Sequence, residues 1–346
     1  MIWLSWRQFR TQAIVAGCVL AAFAIALLVT GFSLAHLYSS SGLPGCQGRG
    51  TCVPAIQNFM NQMRGSVYAF VFYIGVAIIY GGSALVGAFW GAPLIAREIE
   101  TGTFRVAWNQ SVSRNRWLAV RVTMVGLAAM AGAGLLSLML NWWVEPVYKA
   151  TRFAPPDSSL SYGRLSPLLF GTGGIAPMGY AAFAFALGVA AGVLFKRTLP
   201  AMAVTLVGVG FVLLAWPNWV RPHLIPPVHQ VLRLRPSAIE GFSTSANNSQ
   251  MTIFAGVHKP GAWVLSDQVV TSAGHVFSGP ATHACINGSP QACSASLAAL
   301  HLNQLVSFEP ASRFWPLQGY ETGAYVLAAV VLALFCSWWI SRRRLA

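Results

Sequence analysis

Long apolar runs alternate with short polar segments along this chain. We identify six runs, each long enough to cross a hydrocarbon layer about 30 Å thick as a helix of about 20 residues. None shows the alternating pattern of a strand, and lipid offers the backbone no hydrogen bonds, so the runs predict membrane helices. The predicted helices cover about residues 12–36, 67–92, 117–144, 175–195, 199–219 and 322–340.

Polar segments complete the predicted architecture. Residues 1–10 are expected to form an interfacial helix, and residues 96–116 link the second and third membrane helices. Residues 220–321 form a large polar segment, in which 251–257 and 262–270 could be strands and 294–304 a short helix. The predicted fold class is therefore an all-α integral membrane protein. Its transmembrane domain covers 1–219, a separate domain covers 220–321, and a last helix with a basic tail covers 322–346.

Composition supports a membrane protein and sets its orientation. Only 9% of residues are charged, against roughly 25% in soluble domains. The net charge of +14 does not indicate nucleic acid binding, because the arginines lie in short clusters beside apolar runs. The positive-inside rule places both termini and the 96–116 link in the cytoplasm, and the 220–321 segment outside a plasma membrane.

Four of the six cysteines fall in segments predicted to lie outside. They form two close pairs, Cys46 with Cys52 and Cys285 with Cys293, while Cys18 and Cys336 lie within membrane helices. Disulfides persist in oxidising compartments, and local pairing is the favoured of three possible pairings. A zinc site is the alternative, although the spacings are not C-x-x-C.

The 96–116 link carries the strongest local pattern. Gly102 is expected to end the incoming helix and Thr103 to cap a short new one. Phe104 and Trp108 then share one face of that helix, which could dock into a groove on a soluble partner. The alternative is a short loop with buried aromatic side chains. Charged residues surround this face: Glu98, Glu100, Arg105 and Arg114.

Several kinds of site are missing from the sequence. There is no GxxxxGK[ST] phosphate loop and no G-x-S-x-G elbow. No charged residue lies in the middle of a predicted helix, which argues against an ion-driven carrier. Two GxxxG patterns, Gly87 with Gly91 and Gly188 with Gly192, permit close helix contact. Thr198 is expected to cap the fifth helix.

The order of parts and two segments resemble a known family. The segment 87–117, GAFWGAPLIAREIETGTFRVAWNQSVSRNRW, is similar to the acidic-x-acidic-x-Gly-Thr motif and following VSR of type 2 ABC transporter permeases. The segment 308–322, FEPASRFWPLQGYET, and the opening WLSWRQFR are also similar to those permeases. These segments are most similar to permeases of high-GC Gram-positive bacteria. The 220–321 segment is not similar to any family that we can name.

The resemblance implies a role in ATP-driven export. It implies that the helix near Phe104 is a coupling helix seated in a separate cytoplasmic ABC ATPase, present in two copies. The coupling residues would be Glu98, Glu100, Gly102, Thr103, Phe104, Arg105, Trp108 and Arg114. Two copies of this chain, or this chain and a homologous permease, would form a path lined by the second and fifth helices. Tyr73, Tyr80 and Trp90 are candidate lining residues.

Catalysis would then belong to the partner. No cofactor or metal is expected on this chain, and ATP and Mg²⁺ would bind the ATPase. The uncharged, tyrosine-containing helices suit a hydrophobic or amphipathic cargo such as a drug, lipid or peptide. Two alternatives are a membrane sensor or immunity protein that binds a ligand without transporting it, and a membrane enzyme that uses His258, His275 and His283.

Overall fold

Helices dominate the structure, as the apolar runs predict. Ten α-helices lie in the described part of the chain: α1 Ile2–Ser40, α2 Val53–Arg64, α3 Val67–Val86, α4 Ala92–Thr101, α5 Arg114–Thr151, α6 Pro167–Phe170, α7 Ala176–Phe195, α8 Thr198–Ala215, α9 Pro290–Ala298 and α10 Phe314–Arg342. This computed structural model describes residues 2–46, 52–64, 66–101, 114–151, 163–235, 238–244, 250–257, 259, 261–279, 285 and 289–342.

Six helical stretches are long and apolar enough to cross a membrane, and some of them join more than one of these elements. We number them spans 1 to 6: Phe9–Ser40, Val67–Thr101, Leu118–Thr151, Ala176–Phe195, Thr198–His223 and Ala311–Arg342. Each corresponds to a predicted membrane helix, and five of the six are clearly longer than predicted. The predicted bounds followed hydropathy alone, whereas a helix continues past the apolar run until a residue or a contact ends it.

Two polar segments differ from their prediction. The N-terminal segment is not a separate interfacial helix, because α1 continues without a break from Ile2 to Ser40. No proline or glycine interrupts its first 15 residues. The segment between spans 1 and 2, for which no helix was predicted, contains α2, whose residues Ile56, Phe59 and Met60 are buried against spans 1 and 3.

The backbone hydrogen-bond pattern of span 2 changes partway along, but the helix continues. A π-helical turn at Gly87–Gly91 joins α3 to α4, with the N–H of Ala92 bonded to the carbonyl of Gly87. Pro93, which has no N–H to donate, follows directly in α4. The helix therefore carries Glu98 and Glu100 on the same continuous rod that crosses the membrane. The described part of this helix reaches Thr101.

Span 4 is the centre of the bundle. In its apolar window 72% of residues are buried inside the chain, compared with 11% for span 1 and 17% for span 5. Its sequence is rich in alanine and glycine, and small residues let helix backbones approach closely in lipid. Spans 2, 3, 5 and 6 all pack against it.

The segment between spans 5 and 6 forms a small β-structure within an otherwise helical protein. A three-stranded antiparallel sheet has the order β1-β5-β4, from Val228–Arg233, Asn303–Glu309 and Trp263–Val270. A hairpin pairs β2, Ile239–Thr244, with β3, Met251–Ala255. The predicted strands at 251–257 and 262–270 are confirmed. The predicted helix at 294–304 instead spans Pro290–Ala298, and β5 follows it.

Candidate functional site

The span ends that carry most of the basic residues lie together. We call this end of the bundle the basic end. Exposed cations come from span 1 (Arg10), span 2 (Arg97), the start of α5 (Arg116) and the turn between spans 4 and 5 (Lys196 and Arg197). Lys196 adopts a left-handed backbone conformation, φ 56°, which closes that turn tightly. Of the predicted coupling residues, Glu98 and Glu100 lie beside this surface.

The structure describes part of the predicted coupling segment. Glu98 and Glu100 lie in the last turn of span 2, and Arg114 is the first residue of α5. The remaining predicted residues lie outside the described ones: Gly102, Thr103, Phe104, Arg105 and Trp108. Their roles stay predictions, and the two glutamates show how the segment is anchored.

Glu98 joins span 2 to span 3. A guanidinium nitrogen of Arg121 donates to its Oε1, and the two side chains are only 18% and 8% exposed. The other carboxylate oxygen, Oε2, is buried and has no hydrogen-bond partner among the described residues. A buried acceptor without a donor carries a free-energy cost, so this carboxylate is held but not fully satisfied.

Glu100 joins span 2 to span 5. The hydroxyl of Thr198, the first residue of α8, donates to Glu100 Oε2. The expectation that Thr198 caps its own helix is wrong, since Arg197 occupies the cap position and no side chain there accepts from the helix. Two successive acidic positions therefore attach span 2 to two different neighbours.

The two GxxxG patterns meet where spans 2 and 4 cross. A Cβ atom on Gly188 would meet the carbonyl oxygen of Gly87, and one on Gly91 would meet that of Phe185. A Cβ on Gly192 would likewise meet the backbone of Ala92. The backbones are in direct contact, so neither helix can shift sideways without moving the other. The GxxxG pattern alone is a weak signal in this chain, because glycine is frequent throughout it.

The three candidate lining residues lie in different surroundings. Tyr73 is 64% exposed on the outer face of span 2. Tyr80 points into the bundle, donates to the carbonyl of Leu168 at 3.0 Å, and stacks on Tyr180 at 5.9 Å. The rings of Trp90 and Phe9 are nearly perpendicular, and their centres are 4.8 Å apart. The structure therefore does not bring these three side chains to one surface.

The opposite end of the bundle, which we call the disulfide end, holds a buried ion pair that the sequence analysis missed. Arg221, at the end of span 5, donates two hydrogen bonds to Glu321 of span 6, at 2.8 and 2.9 Å. Both side chains are completely buried. Tyr180 of span 4 also donates to Glu321, at 2.5 Å, and the ring of Phe170 lies 4.3 Å from the guanidinium carbon. The signal was present, since each charge lies alone within an apolar, aromatic stretch.

A buried amide completes this cluster. Gln318 accepts hydrogen bonds from the backbone N–H groups of Ile175 and Ala176, at 3.0 and 2.8 Å. It also donates to the carbonyl of Phe170 at 2.9 Å. The first turn of a helix leaves its N–H groups free, so Gln318 of span 6 caps span 4 from outside. The segment before span 4 is thereby fixed to span 6.

The cysteine pairing is confirmed. Cys46 is bonded to Cys52 and Cys285 to Cys293. Among the residues that the structure describes, no three His, Cys, Asp or Glu side chains form a group able to hold a metal. Of the histidines in the enzyme hypothesis, His275 is exposed and His258 and His283 lie outside the described residues.

The small sheet contains its own polar contacts. Asp267 accepts from the amide of Gln304 at 2.8 Å and from the N–H of Val257 at 3.0 Å. Burial raises the pKa of the Asp267 carboxyl, and these hydrogen bonds only partly oppose that effect. Lys259 lies 3.7 Å from the ring centre of Phe308, and burial lowers its pKa. These contacts hold strands together and do not form a recognisable reactive centre.

Comparison with known proteins agrees with the resemblance read from the sequence. A family model described as ABC-2 membrane transporter related matches residues 17–221, which is more than half the chain and includes spans 2 to 4 in full. No curated protein and no solved structure gives a match. Families of this type supply the multi-pass, non-catalytic membrane component that works with a cytoplasmic ATPase. This chain belongs to the ABC-2 membrane transporter related family.

Proposed function

We propose that this chain is the permease subunit of an ATP-driven exporter, and that segment 102–113 transmits movement from a separate cytoplasmic ATPase. The observation that carries the proposal is the double attachment of span 2 at the basic end. Glu98 is held by Arg121 of span 3, and Glu100 is held by Thr198 of span 5. Force applied just beyond Thr101 therefore reaches three spans at once.

The glycine crossing extends this path into the bundle. Spans 2 and 4 touch backbone to backbone at Gly87 and Gly188, and tightly packed helices move as a unit rather than deform. Both glutamates already have partners within the chain, so a contact with basic residues of an ATPase would compete with these bonds.

The proposed orientation places the basic end in the cytoplasm. It rests on the exposed cations of that end and on the location of both disulfides in segments away from it. Two copies of the chain, each with one ATPase, would enclose the transport path. A hydrophobic or amphipathic cargo fits spans whose middle sections carry no charged side chain.

The coupling role is tested with the two aromatic residues predicted to enter the ATPase. Phe104→Ala combined with Trp108→Ala should weaken ATPase assembly and lower transport-linked ATP hydrolysis. A fully buried Phe loses about 3–5 kcal/mol on truncation, and a partly exposed one loses less. The control is Phe242→Ala, an exposed aromatic on β2. Unchanged assembly and turnover in the double variant would refute the coupling role.

Orientation needs a separate experiment. A cysteine at Asn109, in a Cys18→Ala background, should resist a thiol reagent that cannot cross lipid when it is added outside intact cells. A cysteine at Ser272, exposed between β4 and the following turn, should react. The reverse labelling pattern would show that the protein has the opposite orientation, with the proposed ATPase-binding segment outside the cell.

A further inference from the structure

Three buried polar groups without partners lie at one place near the disulfide end. Among the residues that the structure describes, four buried side-chain polar atoms have no hydrogen-bond partner. Three of the four are the indole N–H of Trp216 on span 5 and the hydroxyls of Thr322 and Tyr325 on span 6. A buried polar group without a partner costs free energy, so three of them in one cluster indicate a use other than folding.

Aromatic rings enclose these groups. Tyr325 is only 2% exposed, and the ring centres of Trp216, Tyr180 and Phe183 lie 4.8, 5.0 and 5.6 Å from its own. Thr322 lies three positions before Tyr325, which places both on one face of span 6. All three groups can donate a hydrogen bond. The cluster is therefore an apolar, aromatic environment that contains three unused donors.

The neighbouring ion pair does not use these donors. Arg221 and Tyr180 donate to Glu321, and both of its carboxylate oxygens are occupied. Tyr325 lies one helical turn further from the disulfide end than Glu321, about 6 Å along the helix axis. The two charges of the pair balance each other, and an added anion would be buried without a partner at a large cost. The unused donors therefore suit an acceptor that carries no charge.

Trp216 covers the cluster from the side of span 5. It is only partly buried, and it begins a π-helical turn, Trp216–Val220. Turns of this kind are frequent at functional sites. Leu214 and Trp219, which flank it on span 5, are exposed. An outward movement of the indole would carry its N–H toward the membrane–water interface, where tryptophan finds hydrogen-bond partners, and this gain offsets part of the cost of opening the cluster.

We propose that the cluster of Trp216, Thr322 and Tyr325 binds an apolar molecule that carries an uncharged hydrogen-bond acceptor, such as a ketone, ester or ether oxygen. The indole moves outward, the apolar body of the ligand packs against Phe183 and the ring of Tyr325, and the hydroxyls of Thr322 and Tyr325 donate to the acceptor. Hydrogen bonds are stronger in such an apolar environment than in water. The site goes beyond the proposed export function, because binding requires no ATPase.

A stability measurement separates a binding role from a folding role. Tyr325→Phe removes a hydroxyl that has no partner in the described structure, so the free energy of unfolding should stay the same or rise. Tyr180→Phe removes a hydroxyl that donates to Glu321 and should lower it. Denaturant titration of the full-length protein compares the two variants. Equal losses would show that the Tyr325 hydroxyl serves the fold, and the proposal would fail.

Binding is measured with benzophenone, an apolar aromatic ketone that attaches to nearby C–H bonds under long-wavelength ultraviolet light. The full-length protein in nanodiscs is illuminated with it, and labelled residues are mapped by mass spectrometry. We expect label at residues 212–216 and 322–326, and about fivefold less there in Tyr325→Phe and in Thr322→Val, as for the loss of one hydrogen bond. Tyr320→Phe is the control, since Tyr320 is exposed on the same span. Equal labelling in all four proteins would overturn the proposal.

Competition tests the acceptor and a third variant tests the cover. Dicyclohexyl ketone, which does not absorb the light used, should reduce labelling of the cluster, whereas dicyclohexylmethane, which lacks the oxygen, should not. Equal competition by both would leave apolar contact alone and contradict the role of the donors. Trp216→Ala should increase labelling at 322–326, because the cover is removed. A decrease would contradict the outward movement of the indole.

Discussion

Glu321 and Glu98 each join two membrane helices through an arginine, yet their surroundings differ. The Glu321–Arg221 pair at the disulfide end is fully buried, and both carboxylate oxygens accept hydrogen bonds. The Glu98–Arg121 pair at the basic end is partly exposed, and one carboxylate oxygen has no partner in the described structure. The first pair is geometrically complete, while the second is not.

This difference separates a fixed end from an adjustable one. A desolvated, fully hydrogen-bonded pair breaks only at a large free-energy cost, because each charge would be left buried alone. The Glu98–Arg121 pair is less completely buried, since Glu98 is 18% exposed, and one of its carboxylate oxygens lacks a donor among the described residues, so opening it should cost less. We therefore expect the disulfide end to hold spans 4, 5 and 6 together while the basic end responds to a partner.

The largest predicted effect comes from removing one member of the buried pair. Glu321→Ala leaves Arg221 charged in an apolar environment and should lower the free energy of unfolding by about 3–5 kcal/mol. Glu145→Ala is the control, because the Glu145–Arg164 pair is exposed and should contribute at most about 1 kcal/mol. Denaturant titration of the detergent-solubilised protein measures both. Equal losses would contradict the comparison.

A second prediction concerns the connection between the two ends. Gly188→Leu inserts a side chain where spans 2 and 4 touch and should cost about 3 kcal/mol through overpacking. If span 2 moves with span 4, the same change should also reduce stimulation of ATP hydrolysis by cargo. Gly210→Leu provides the control, since no atom lies within 4 Å of its Cβ position. If Gly188→Leu left both stability and the stimulation of ATP hydrolysis unchanged, the crossing would not transmit movement.

A smaller loss of stability is expected at the adjustable end. Glu98→Gln keeps an acceptor for Arg121 but removes its charge, which should cost about 2 kcal/mol of unfolding free energy, within the range for hydrogen bonds to charged groups. Assembly with the ATPase should change more than stability does. Binding measurements on the purified subunits compare the two effects. A loss of stability as large as that of Glu321→Ala would show that the two ends are held equally firmly, which contradicts the comparison.

The smallest effect lies in the β-structure beyond the disulfide end. Burial raises the pKa of Asp267 above its unfolded value, so the group favours the folded state when protonated and loses that contribution as pH rises from about 4. Asp267→Asn should flatten this part of the stability profile, while Gln304 and Val257 keep an acceptor. Unfolding followed between about pH 3.5 and 6 tests it. An unchanged slope would exclude Asp267 as its source.

Hydropathy located all six spans but not all of their ends. A run such as 175–195 nearly coincides with its helix, because Lys196 and Arg197 close it with charges. Span 2 was predicted to end near residue 92, because the apolar run gives way there to a segment with charged residues at 97, 98 and 100. The helix continues to Thr101 because Arg121 and Thr198 supply partners for the two glutamates, and neither partner is visible in the local sequence.

The candidate site, like the spans, was predictable only in part. The acidic pair and the glycine patterns were identified from the residues. The family match supports the family that the resemblance named, whereas the coupling role of these residues stays a prediction. The Arg221–Glu321 pair was missed because its members lie 100 positions apart. Each charge alone resembles an ordinary residue at the end of a span.

The sequence by itself determined the membrane class, the six helices, the family and the local cysteine pairs. Each of these depends on composition or on neighbours within a few positions of the chain. Only the tertiary structure decided which glycines touch and which carboxylates are satisfied. Those properties depend on how helices distant in sequence approach one another, and that approach is set by the packing of all six spans together.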